Sequence, residues 1–189
     1  MLRHHTPNVV HKLKNIYMEN TLEIDETELI ELELLSPQKF ILLSVVSLGL
    51  YEVWWIYKSW SFFRDKDNLD IMPAARALFA IFFLNSLFDR IQDFSKSKGY
   101  TKTFSSIGYF IGFIGLNFAG RLPDPYWVVS FLSMFFLIPA LESLNYGIKN
   151  SGNYKVIENG KYSNRQTGLI IVGTIFWILI LIGILVPLE

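Results

Sequence analysis

The run from Phe40 to Trp60, FILLSVVSLGLYEVWWIYKSW, is an apolar stretch long enough to cross a bilayer, and it carries one acid, Glu52, inside it. A helix rises 1.5 Å per residue and a hydrocarbon core is about 30 Å thick, so about 20 mostly apolar residues make one crossing. Four more apolar blocks follow, separated by charged connections. A soluble amphipathic helix would instead interleave charge every three or four positions. The blocked pattern predicts an all-α integral membrane protein. It would be a bundle of about five transmembrane helices over residues 39–189, preceded by a short acidic cytoplasmic arm over 1–38.

Composition agrees, with 51% hydrophobic and 16% aromatic residues in a chain of 189, above the usual range for a soluble domain. Seventeen basic residues balance seventeen acidic ones, so no strongly basic surface points to nucleic acid. The chain has no cysteine, which removes disulfides, thiolate nucleophiles, iron-sulfur clusters and cysteine-ligated zinc. The opening MLRHHTPNVVHKLKN is polar and basic, without the apolar core of a cleavable signal, so the first span is expected to direct insertion. Seven acids lie between Glu19 and Glu33 among leucines and isoleucines. Leu22, Ile24, Ile30, Leu32 and Leu34 alternate as in a short strand, whereas Leu22, Leu29 and Leu32 also suit a helix face.

The expected spans are residues 40–57, 73–88, 104–119, 126–146 and 168–188. The first ends in Trp54, Trp55, Tyr57 and Trp60, the aromatic clustering of an interfacial belt. The second opens on Pro73, a good first helical residue, and is short, at roughly 24 Å. Beyond it Asn85, Asp89 and Asp93 recur every four residues as a polar stripe. The third carries Gly108, Gly112 and Gly115; the GxxxG pair within it allows close helix approach, inside the chain or to a second copy. The fourth is interrupted by Pro139 and carries Glu142 near its end. With five spans and the N-terminus inside, Arg3, Lys12, Lys14, Lys39, Arg90, Lys96, Lys98, Lys102, Lys149, Lys155, Lys161 and Arg165 are cytoplasmic. Only Lys58, Arg64, Lys66, Arg76 and Arg121 lie outside, as the positive-inside rule asks.

Ser36, Pro37, Lys39 and Phe40, then Gly49, Leu50, Tyr51, Trp55, Tyr57, Lys58 and Trp60, then Arg76, Ala77 and Phe79 form a spaced pattern. It resembles a family of bacterial multi-pass membrane proteins catalogued as a domain of unknown function. The resemblance runs from Ser36 to Ile91. It implies a bacterial inner-membrane protein and brings no reaction, ligand or partner with it.

Two intramembrane constellations stand out. Glu52 lies roughly 9 Å inside Lys58, and a carboxylate there costs on the order of 3 kcal/mol unless paired, protonated or wet. Arg76 is expected at the same depth, so a Glu52–Arg76 pair locking the first two spans is the leading expectation, with a transport role as the alternative. Asn85, Asp89, Arg90, Glu142 and Asn145 are expected on the cytoplasmic side. There they would either line a polar cavity serving a proton or cation, or pair Glu142 with Arg90 at the interface. His4, His5 and His11 lack ligand spacing, so no metal is expected, and no motif supplies a catalytic nucleophile or a cofactor site. The leading expectation is a non-enzymatic scaffold or regulatory subunit in contact with the bilayer and with a membrane-protein partner or a second copy. A channel or transporter subunit comes next, and a lipid-binding or lipid-modifying protein third.

Overall fold

The protein is described by a computed structural model, which covers Lys14 and residues 30–157 and 160–185. The run from Phe40 to Trp60 does not form one rod. Helix α1 (Pro37–Val46) opens on Ser36, whose hydroxyl accepts from the Lys39 amide, with Pro37 in the first turn, where a missing N–H costs nothing. Beyond Val46, Leu48 and Gly49 adopt φ of 53° and 86°. The Gly49 amide bonds back to the Ser44 carbonyl at 2.8 Å and the Leu48 amide to the Val45 carbonyl at 3.1 Å, a left-handed helix stop for which glycine is the natural residue. The Ser47 hydroxyl then accepts from the Tyr51 amide at 2.9 Å, starting α2 (Leu50–Asp67) in the opposite sense. The Phe40 ring therefore lies 5.9 Å from Trp55 and 6.4 Å from Tyr51. In a continuous helix Phe40 and Trp55 would stand about 22 Å apart. The expected first span is a helical hairpin.

The second expected span is also broken. Helix α3 (Pro73–Leu78) stops at Phe79, whose φ of −98° and ψ of 42° separate it from α4 (Ala80–Ser97). Helix α4 runs alongside α2 in the same direction: the Arg76 guanidinium covers both Trp60 and Phe83, Phe94 packs on Phe62 and Phe63, and Arg90 reaches Asp67. Its buried stripe is Leu84, Leu87, Phe88, Ile91 and Ser95, the three-and-four spacing of a helix face.

Helix α5 (Ser106–Phe118) has 13 residues, roughly 20 Å and short of a crossing. A 3-10 turn at Ala119–Arg121 reverses it onto a second 3-10 helix, Tyr126–Phe136, which continues into α6 (Ile138–Lys149). Pro139 sits in the first turn of α6, so the expected interruption is the junction between two helical forms. The 3-10 half rises about 2.0 Å per residue, and the whole Tyr126–Lys149 rod is long and apolar enough to cross a membrane. So is Asn164–Gly183, within α7 (Asn164–Leu185). The all-helical expectation holds, but among the described residues two helices are long and apolar enough to be candidate spans, rather than five.

Strands β1 (Ile30–Glu33) and β2 (Tyr154–Ile157) pair in parallel, Ile30 opposite Tyr154 and Glu33 opposite Ile157. They sit where α1 begins, α6 ends and α7 approaches: Asn145 donates to the Leu35 carbonyl at 2.8 Å and the Lys39 ammonium to that of Lys161 at 2.8 Å. Of the acidic arm, most lies outside the described residues, as do the three histidines. The core gathers Phe40, Ile56, Trp60, Phe63, Leu84, Leu87, Phe88, Ile91, Leu137 and Leu141, all essentially inaccessible.

Candidate functional site

Glu52 and Arg76 do not come together. Glu52 is 4% exposed just past the hairpin turn, with the Ser133 hydroxyl of the 3-10 helix as its hydrogen-bond partner. Arg76 instead stacks on Trp60, at 4.4 Å from the ring centre, and on Phe83, at 5.1 Å. The physical reason is the hairpin: Trp60 lies about 12 Å further along α2 than Glu52, so the depth match that assumed a straight first span fails. Glu52 joins the hairpin to the long rod, while Arg76 joins α2, α3 and α4. The Ser44 hydroxyl, fully buried on α1, has no hydrogen-bond partner among the described residues.

The expected interfacial belt is mostly core. Trp55 and Trp60 are buried, and Trp54, its ring tilted against Tyr57 at 5.2 Å, is half exposed. Of the glycines, Gly112 leaves room for the Phe136 ring between α5 and the 3-10 helix, Gly108 lies against its own Ser105 cap, and Gly115 faces open space. The close approach within the chain rests on Gly112 alone of the three.

The five residues of the expected polar cavity separate into distinct places. Helices α4 and α6 meet through Ser95 and Ser143, whose buried hydroxyls are 2.7 Å apart, and through Phe94 against Gly147. Asp89 and Arg90 are therefore turned away from α6, and Arg90 pairs with Asp67 at 3.0 Å rather than with Glu142. Glu142 is exposed; burial, and then the nearby Glu142 carboxylate, hold the Tyr100 phenol above its ordinary pKa. Asn145 serves the Leu35 carbonyl.

Asn85, Asp89 and Arg90 stay together and gain partners from α2. An open groove of about 410 Å³ is lined by Lys66, Asp67, Ser86, Asp89, Arg90 and Asp93, with Phe63 and Phe94 behind them. Asp67 bridges Lys66 and Arg90, while the Asn85 amide donates to Asp89 at 3.3 Å and leaves its own buried Oδ1 without a partner. Lys66 and Arg90 lie over Phe94 and Phe63, at 5.1 and 5.9 Å from the ring centres. Burial and the nearby Asp67 carboxylate push the Tyr154 phenol up from its usual value. The stripe of Asn85, Asp89 and Asp93 was legible as a polar face; that Lys66 and Asp67 close over it was not. A second pocket of about 500 Å³ lies between Lys39, Asn145, Tyr146 and Lys149. Among the described residues, no group of three or more histidines and acids is placed to hold a metal.

Compared with family models, curated proteins and solved structures, the chain finds no match in any of the three.

The charged groups gather at one end of the bundle. There α2, α4 and α6 finish and α7 begins, tied together by Arg90–Asp67, by Phe62 against Tyr154 at 5.6 Å and by the Tyr146 hydroxyl donating to the Gly99 carbonyl at 3.4 Å. Lys39, Arg64, Lys66, Arg90, Lys96, Lys98, Lys149, Lys155, Lys161 and Arg165 belong to this end, whereas the turn between α5 and the 3-10 helix carries Arg121 and Asp124.

Proposed function

We propose that the chain is a non-enzymatic scaffold or regulatory subunit of a membrane complex in the bacterial inner membrane, its charged end in the cytoplasm. The one-sided distribution of basic residues supports the membrane orientation in this reading. Through the hairpin, Arg64 and Lys66 move from the side expected to be outside to the side that also holds Lys39, Lys149 and Lys161, and the asymmetry that directs insertion becomes steeper than five straight spans would make it. Tyr126–Lys149 and Asn164–Gly183 cross, α5 together with the 3-10 turn after it carries the chain to the far side, and the α1–α2 hairpin enters from the charged end without crossing. Buried polar backbone at such a turn is tolerated in a membrane when the protein encloses it, and the Gly49, Leu48 and Tyr51 amides all have internal partners.

The cysteine-free chain makes the topology directly testable. Arg64→Cys is expected to react with a membrane-impermeant maleimide only after permeabilisation; labelling in intact cells overturns the hairpin reading. Affinity isolation from native membranes is expected to recover a stoichiometric partner, and recovery of the chain alone overturns the scaffold reading. The transporter alternative moves from Glu142 to Glu52, a buried carboxyl beside a helix break of the kind that hosts coupling ions. Unchanged proton and cation flux through vesicles holding Glu52→Gln, relative to the parent chain, removes it.

A further inference from the structure

The outward face of α4 changes character within one turn. Leu78, Phe79 and Phe82, at the junction with α3, are 76%, 56% and 74% exposed. Ser86, Asp89, Asp93 and Ser97 continue the exposed face that Phe82 begins, at the spacing of one helix face. An exposed helix face that turns from phenylalanine to aspartate marks the depth at which acyl chains give way to headgroups. The charged groove between α2 and α4 opens at that depth.

We propose that this groove holds the headgroup of a zwitterionic phospholipid with a primary amine, its acyl chains lying along Phe79 and Phe82. The inference rests on the membrane placement of the α1–α2 hairpin proposed above, beside which α4 packs. The groove is dipolar: Asp67 is shared by Lys66 and Arg90, and both cations retain further N–H donors for a phosphate. On the other wall, among the described residues, Asp89 has only the Asn85 amide as hydrogen-bond partner and no cation pairs with Asp93. Two carboxylates beside two lysine and arginine donors match an ammonium joined to a phosphate. They disfavour a headgroup carrying only negative charge. A quaternary ammonium would need open aromatic faces, but Lys66 and Arg90 already occupy those of Phe94 and Phe63. A primary ammonium needs carboxylate acceptors instead, and finds them. The volume of about 410 Å³ lies within the range of small-ligand sites.

The test uses the purified full chain with dioctanoyl phospholipids bearing ethanolamine, choline or glycerol headgroups, followed by native mass spectrometry and by thermal unfolding. The ethanolamine lipid is expected to bind at least tenfold more tightly than the other two. Asp89→Asn combined with Asp93→Asn should abolish that preference while leaving the lipid-free melting temperature unchanged, since both side chains are exposed. Equal binding of all three headgroups, or a preference that survives in the double variant, overturns the proposal. A fluorophore at Ser86→Cys in vesicles containing brominated acyl chains separates the two levels of the argument. Absence of quenching removes the membrane placement of α4 and the proposal with it. Quenching without headgroup preference removes the proposal alone.

Discussion

The α1–α2 hairpin and α7 arise from runs of similar length, the first broken by serines, Glu52 and Lys58 and the second free of charge beyond Arg165, and they end in opposite environments. Phe40, Leu43, Ile56, Trp60 and Phe63 of the hairpin are buried to within about a percent, whereas Ile171, Ile175, Phe176, Leu179 and Ile182 of α7 are all more than half exposed. The hairpin carries Ser44, Ser47, Gly49, Glu52 and Ser59 at positions where each is enclosed or turns the chain. The α7 run has Gly173 and Thr174 but no residue in the left-handed region, and Thr174 donates to its own Ile170 carbonyl at 2.7 Å. The second arm of the hairpin is far more polar than α7, and its small and polar groups stand where they are enclosed or turn the chain.

That contrast is sharpest for large side chains. Trp60→Ala, in the hairpin, is expected to cost about 3–5 kcal/mol through the cavity it leaves. Phe176→Ala, on the open face of α7, should stay within about 0.5 kcal/mol. Chemical unfolding in micelles measures both, and equal costs would break the distinction between a packed hairpin and an unpacked span. Glycines give the next effect. Gly49→Ala places a side chain at φ 86° and is expected to cost about 1–2 kcal/mol. Gly183→Ala, with open space around it, is expected to be neutral or stabilising by up to about 1 kcal/mol; thermal melting of the two variants gives the sign. The smallest effect probes the seam where the two regions meet. Trp177→Phe removes the indole donor to the Val45 carbonyl at 2.9 Å and should destabilise by about 1 kcal/mol, read as faster amide exchange at the end of α1.

Much of the element order was legible. Pro73 starts a helix where expected, and the spans at 126–146 and 168–188 correspond to the Tyr126–Lys149 rod and to α7. The stripe of Asn85, Asp89 and Asp93 lies on the outer side of α4 as its spacing required. The hairpin was not legible because Ser47, Leu48 and Gly49 interrupt an apolar run without adding charge, and a single glycine is tolerated in many helices. The pairing of Arg76 and Glu52 failed with it, since both depths were counted along a straight helix. The contact of Ile30–Glu33 with Tyr154–Ile157 joins segments more than a hundred residues apart, for which no local spacing gives a signal.

The sequence by itself determined that the chain is helical and apolar in blocks, because helices close their hydrogen bonds locally and the length of an apolar run is countable. Only the tertiary structure decided which of those blocks stay one rod, which fold back on themselves and which remain exposed. The physical reason is that lipid tails are as apolar as leucine, so hydrophobicity favours a protein neighbour and a lipid neighbour almost equally. What separates them is packing and hydrogen bonding at particular residues: Gly49 turning the chain, Gly112 admitting Phe136, Ser133 meeting Glu52, and Asp67 closing on Arg90 to complete a charged groove.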